Sequence, residues 1–126
     1  LILGNSLKDH KGINHPMTGI LPFKAERGKL EIGYKQLRSL RDSLILKKDE
    51  ELVGHEFHSW KLSMDQINVK ENKFTCPWES TGWKKGPVEE GWSAKNLHAS
   101  WIHLHWPSSE NILDLWISAV LKSIDN

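Results

Sequence analysis

This chain of 126 residues has one cysteine, one tyrosine and two methionines. A single thiol, Cys76, cannot close an internal disulfide, so a reducing cytoplasm is the simpler setting. No apolar run approaches the roughly 18 residues of a membrane-spanning helix. The opening LILGNSLKDHKG lacks the apolar core and cleavage site of a signal peptide. Seventeen basic and sixteen acidic side chains leave a formal charge of +1. That balance offers no field of one sign, and neither nucleic acid nor membrane is expected as a partner. Repeats and low-complexity tracts are missing. The length suits a single domain with a single core. The first residue is Leu1, not methionine, and apolar Leu1, Ile2 and Leu3 run into Gly4. The chain is therefore expected to be part of a longer one.

What the sequence does have is seven tryptophans and seven histidines. Five of those histidines fall in two short stretches, GHEFHSW (54–60) and HASWIHLHW (98–106). Both read as strands. Along 52–62, Val53, His55, Phe57 and Ser59 share one face, and Gly54, Glu56, His58 and Trp60 the other. Residues 96–106 are the strongest strand, and Pro107 ends it because proline cannot donate to a ladder. A further strand is expected over 30–38, where Gly33 suggests a bulge or a close backbone approach. Another is expected over 65–74. Residues 4–29 read as a long irregular connection, with at most a short strand between Pro16 and Pro22. Residues 39–51 read as a turn, a short apolar strand or helical turn, and a charged turn. The breaker-rich stretch 77–92 reads as a surface loop. The chain closes in an amphipathic helix, with Ser108 or Ser109 as N-cap and Glu110 in the first turn. Its core face is expected to hold Ile112, Leu113, Trp116, Ala119 and Val120.

A strand, a short turn and a closing helix suggest an α/β layered architecture, with sites at strand ends. His103 and His105 lie just before Pro107, at such an end. A metal is one reading, because two histidines sharing a strand face can ligate zinc. GHEFH is not the helical HExxH pattern, however, since its histidines are three apart on a strand and point to opposite faces. Structural or solvent-facing histidines are the plainer reading. Cysteine catalysis needs a nearby histidine and backbone donors for the oxyanion. Cys76 is followed by Pro77, which has no N–H to donate, and reads as an inert thiol. The sequence thus offers a candidate base without a nucleophile.

HASWIHLHW resembles the A-S-Y-x-H-L-H-F strand that ends the class I glutamine amidotransferase domain of cobyrinic acid a,c-diamide synthases. GHEFHSW resembles that family's G-H-E-F-H-Y-S stretch. GNSLKDHKGINHPMTGILP (4–22) resembles its G-x-S-L-x-D…P-M-x-G-L-L-P connection. IGYKQLRSLRDSLIL and the GW…N-L-H-A-S stretch match in order and spacing. The similarity runs from about residue 3 to residue 122. Trp60, Trp92, Trp101 and Trp106 stand where the family usually has tyrosine or phenylalanine.

The resemblance implies an α/β, flavodoxin-like layered sheet of the class I glutamine amidotransferase type. Residues 1–126 would be the carboxyl-terminal portion of its glutaminase domain. The family's nucleophile elbow comes immediately before the G-x-S-L segment, where this chain opens, and Leu1–Leu3 would be the start of the helix after it. An ATP-dependent synthetase domain would lie further upstream. His103 matches the family's base for the nucleophilic cysteine. His105 stands where related amidotransferases have a glutamate that orients the histidine, and Glu56 is a substitute for that role. His55 and His58 are candidates for lining an ammonia path. The implied enzyme hydrolyses glutamine and, with ATP and magnesium, amidates the a and c carboxylates of cobyrinic acid in cobalamin biosynthesis. No cofactor or metal is expected on this chain. ATP and Mg2+ would sit on the synthetase domain. Partners would be glutamine, the ammonia-accepting synthetase domain and, indirectly, the tetrapyrrole; a homodimer stays open. Another metal tetrapyrrole as substrate, and a non-catalytic binding or regulatory module, stay open as alternatives.

Overall fold

The computed structural model describes residues 1–64, 73–83 and 86–124. It holds two compact units: Leu1–Glu31 with the described part of 58–72, and Ile32–Phe57 with the described residues from Lys73 on. Two long strands, β3 (Phe23–Ser39) and β4 (Glu51–Met64), contribute to both.

In the first unit, residues 1–4 form a turn in which the Gly4 N–H donates to the Leu1 carbonyl at 3.0 Å, not the start of a helix. Strands β1 (Ser6–Lys8) and β2 (Asn14–Pro16) follow as an antiparallel hairpin, with Leu7 opposite His15. Asp9 builds its turn. Its Oδ1 accepts from the Lys11 and Ile13 N–H groups at 2.8 and 2.9 Å, and its Oδ2 meets His15 Nε2 at 2.9 Å. β1 then pairs in parallel with the start of β3. The stretch expected to be irregular thus holds two strands and the beginning of a third. The reason is period two: Phe23 and Ala25 are buried while Lys24 and Glu26 are exposed.

The second unit holds the main core of Leu37, Ile45, Leu46, Trp78, Ile102 and Ile112. Residues 40–50 form neither strand nor helical turn. Ser43 folds them instead: its hydroxyl accepts from Ile45 and Leu46 N–H at 3.4 and 3.2 Å, which sends both apolar side chains inward. The expected surface loop 77–92 contains β5 (Trp78–Thr81) and β6 (Val88–Glu90), an antiparallel pair, and the first residue of β7 (Trp92–Ala94). Trp78 is only 1% exposed, so this stretch supplies the core and does not merely cover it. The expected strand 65–74 falls mostly outside the described residues, and Lys73 and Phe74 are not in a strand.

The single strand expected over 96–106 is two. β8 (Leu97–Ala99) pairs with β7 in a separate small sheet, and β9 (Ile102–Leu104) pairs antiparallel with β4. A 3-10 turn, Trp106–Ser108, leads into helix α1 (Glu110–Ile124). Ile112 is buried on the core as expected, and Leu115 and Ala119 are half-buried behind it. Leu113, Trp116 and Val120, expected inside, are exposed. The helix presents a different stripe to the core than hydrophobicity alone suggests, because its apolar residues span more than one face. Among the described residues no helix is long and apolar enough to cross a membrane.

Candidate functional site

The two histidine-bearing stretches meet. β9 runs antiparallel to β4 with His103 directly opposite His55, Gly54 opposite Leu104 and Glu56 opposite Ile102. Side chains directly opposite on such a ladder share a face, with Cβ atoms about 5 Å apart. Ile102 and Gly54 are buried, which marks their face as the core side. His55 and His103 therefore share the other, open face.

Gly54 makes this close pairing possible. A Cβ there would overlap Ile102 Cγ2 and stand 3.3 Å from Leu104 Cδ2. Gly33 behaves differently. Its φ of 147° suits glycine, but nothing lies within 4 Å of where a Cβ would be, so it marks a backbone conformation and not a close approach.

Around the histidines the open face is aromatic and apolar. Tyr34, 67% exposed, stands edge-on to His55 with ring centroids 5.2 Å apart. Val53 and Phe57 flank His55 along β4 and are exposed. A cavity of about 330 Å3 opens beside them, lined by Tyr34, Val53, Thr81 and Trp83 among others. His105 follows β9 with extended backbone (φ −94°, ψ 95°) and is exposed at the start of the turn into α1.

Glu56 lies elsewhere. Its register partner Ile102 is a core residue, so its side chain leaves on the face opposite His103. Its Oε2 meets Lys35 Nζ at 2.8 Å, with both side chains largely covered. The structure brings His55 and His103 together and does not bring Glu56 to His103. His58 belongs to the first unit, where its Nδ1 accepts from the Trp60 N–H at 3.3 Å.

Cys76 has the environment of a resting thiol. Its Sγ donates toward the carbonyls of Trp78 and Glu90 at 3.1 and 3.2 Å. Burial pushes its pKa up, so the nucleophilic thiolate is disfavoured. His98 of the HASWIHLHW stretch is also set apart. It packs edge-on against Trp78 at 4.5 Å between centroids, and burial lowers its pKa to about 4. Neither of its ring nitrogens has a hydrogen-bond partner among the described residues, so it is a neutral packing group. Among the described residues no group of three or more His, Cys, Asp or Glu could hold a metal ion.

A residue that sequence reasoning missed sets the position of β9. The Glu90 carboxylate accepts from Trp78 Nε1 at 2.7 Å, the Ser100 hydroxyl at 2.5 Å and the Trp101 N–H at 3.0 Å. The Ser100 hydroxyl in turn accepts from the Ile102 N–H at 2.8 Å. These bonds satisfy the backbone where the chain leaves the β7–β8 sheet and joins β4, and they explain why HASWIHLHW breaks at Ser100 and Trp101. The only signal in the sequence was a carboxylate just before Gly91 in a breaker-rich stretch, which points to a turn and not to a hub.

The sequence pattern described as the CobB/CobQ-like glutamine amidotransferase domain matches residues 1–111. A protein of Gloeobacter violaceus named cobyrinate a,c-diamide synthase is 33% identical over 108 residues, 84% of this chain and 21% of that protein. Its namesake in Saccharolobus solfataricus is 33% identical over 109 residues, 84% of this chain and 24% of that protein. That of Salmonella typhimurium is 28% identical over 124 residues, 97% of this chain and 26% of that protein. The chain thus spans between 21% and 26% of the length of these relatives. The α/β fold expected from the sequence is the fold of this group. With the pattern running from Leu1 through the histidine-bearing ladder and into the closing helix, the chain belongs to the CobB/CobQ-like glutamine amidotransferase domain family.

Proposed function

We propose that this chain supplies the histidine side of a glutaminase site whose ammonia is used to amidate the a and c carboxylates of cobyrinic acid. The observation that supports this reading is the position of His103. It stands on the open face of the β4–β9 ladder, in a chain that follows the amidotransferase pattern over residues 1–111.

In this reading a cysteine on a nucleophile segment outside these residues faces His103. The imidazole takes the thiol proton, and the thiolate attacks the glutamine side-chain carbon. The imidazolium returns that proton to the departing nitrogen as the C–N bond breaks, which leaves a thioester and ammonia. Water then cleaves the thioester, giving glutamate and restoring the thiol. His105 stands where a carboxylate would orient the base; an imidazole can hydrogen-bond there but carries no fixed negative charge. Glu56, paired with Lys35 on the other face, is given a structural part. ATP and Mg2+, on a synthetase domain, would supply the activation of the acceptor carboxylates, and no residue of this chain is assigned to them. A cytoplasmic setting belongs to the same reading.

The test is a chimera in which this chain replaces the matching stretch of the Gloeobacter violaceus relative. His103→Ala should lower glutamine-dependent amidation by ~10²–10⁴-fold, the usual contribution of a positioned base. Amidation driven by added ammonia should be unchanged. Equal loss of both, or loss of neither, overturns the assignment. The chain alone should not hydrolyse glutamine, and turnover abolished by Cys76→Ala would contradict that.

A further inference from the structure

Helix α1 carries a second apolar stripe besides the one that meets the core. Ile112 is buried, and Leu115 and Ala119 are half-buried behind it. On a different side of the helix lie Leu113, Trp116, Ile117, Val120, Leu121 and Ile124, each between 40% and 72% exposed. Steps of three and four residues bring them onto one face. Trp106, 43% exposed, joins that face, its ring edge-on to Trp116 with centroids 5.7 Å apart. Together these side chains leave open an apolar surface on the order of 600 Å2, the upper end for the largest patch on a typical monomer and often the mark of an interaction site.

The chemistry of α1 narrows what can cover this face. A helix that lies in a membrane surface is rich in lysine and arginine on its polar side, and α1 has only Lys122. The stripe itself holds no charged residue, so a strongly charged partner would find nothing in it to pair with. What the stripe does fit is itself. Leu113, Ile117, Val120 and Ile124 follow one another by four, three and four residues, the spacing of a coiled-coil seam. Turned end for end, the order of steps is the same. Two copies related by a two-fold axis therefore pair Leu113 with Ile124 and Ile117 with Val120, in four layers, with Trp116 and Leu121 on either side of the seam. Antiparallel pairing also sets opposite ends of the two helix dipoles beside each other.

We propose that this face of α1 is the interface between two copies of the chain, paired antiparallel through the stripe. The contact is isologous, with the same patch given by both copies and the association closed at two. The area fits as well. Two such faces bury about 1,200 Å2 together, the lower bound for a specific interface. Ile117 and Val120 form its centre, and Trp106 and Trp116 are the aromatic anchors toward its ends. The inference does not rest on the chemistry assigned to His103.

The test is sedimentation velocity of the full 126-residue chain. A dimer is expected at about 100 μM, in keeping with the micromolar affinity of a small interface. Salt at about 1 M, which shortens the reach of charge to about 3 Å, should not weaken it. Ile117→Glu and Val120→Glu each put a carboxylate into the seam and should weaken association by at least ~100-fold. Ser118→Glu, on the polar side of the same helix, should leave it unchanged. Circular dichroism checks that each variant is folded, and Ile117→Asn and Val120→Asn replace any that is not. In a Cys76→Ala background, Leu113→Cys and Ile124→Cys copies should cross-link with each other on oxidation. A monomer at about 100 μM, or a dimer that survives both seam variants, overturns the interface. Leu113→Cys copies that cross-link among themselves instead overturn the antiparallel pairing.

Discussion

The same strands show the two sides of this protein's second unit very differently. On the core side of β3, β4 and β9 stand Leu37, Gly54, Glu56 and Ile102, and behind them Trp78 and Ile112. Apolar groups there are buried, and Glu56 is matched by Lys35. On the other side stand Tyr34, Val53, His55, Phe57 and His103, with large apolar surface and two imidazoles left open. The comparison teaches that alternation along one strand can bury one face in the core and leave the other open. Substitutions on the core side should move folding; on the open side they should leave folding nearly unchanged.

The strongest way to break this contrast is from the core. Trp78→Ala removes the largest fully buried side chain and its indole bond to Glu90, and should cost about 3–5 kcal/mol of stability. Urea unfolding measures it, and a loss below about 1 kcal/mol would mean that β5 does not hold the core. The next effect is in pH. His98 has a pKa of about 4 in the fold against 6.5 in the unfolded chain. Between those values the unfolded chain binds the proton and the folded one does not, so stability falls as pH drops from 6.5 to 4 and then levels off. Up to about 3 kcal/mol is at stake. His98→Phe should flatten that part of the stability–pH curve, and an unchanged slope would contradict the burial of His98.

Gly54→Ala comes third. Its Cβ must push Ile102 aside, and overpacking of this kind costs about 1–3 kcal/mol. The sharper readout is the ladder: amide exchange of β9 should speed up more than that of β1. Equal protection in both strands would mean that Gly54 does not set the pairing. The smallest effect is His103→Ala. His103 is exposed, so the change should stay within about 0.5 kcal/mol in the same urea assay. A loss above about 2 kcal/mol would erase the distinction between the two sides.

Parts of this architecture were legible before any coordinates. β4 was readable because its apolar and polar residues alternate without a breaker other than Gly54, and the closing helix because its periodicity runs for four turns. Cys76 reads as inert because Pro77 follows it and no apolar strand precedes it, and burial of its thiol in the fold agrees. Other parts were hidden. β1, β2 and the start of β3 are short and lie in a stretch broken by Gly4, Gly12, Gly19 and Pro22, and only their pairing with one another makes strands of them. The split of HASWIHLHW depends on Glu90, a residue some ten positions away. Glu56 was a reasonable partner for His103 from the sequence, since each lies on a strand; which face each one takes follows from their register against one another.

By itself the sequence determined the family, the strand around His55 and the closing helix, because each of these is written in residue types and short spacings. Only the tertiary structure decided that His103 faces His55, that Glu56 turns to Lys35, that His98 is neutral and packed, and that α1 leaves one apolar stripe open. The physical reason is that local pattern fixes which side of an element is apolar, whereas register and long-range hydrogen bonds fix which elements meet. A shift of one residue in β9 would have exchanged the two faces without altering a single spacing in the sequence.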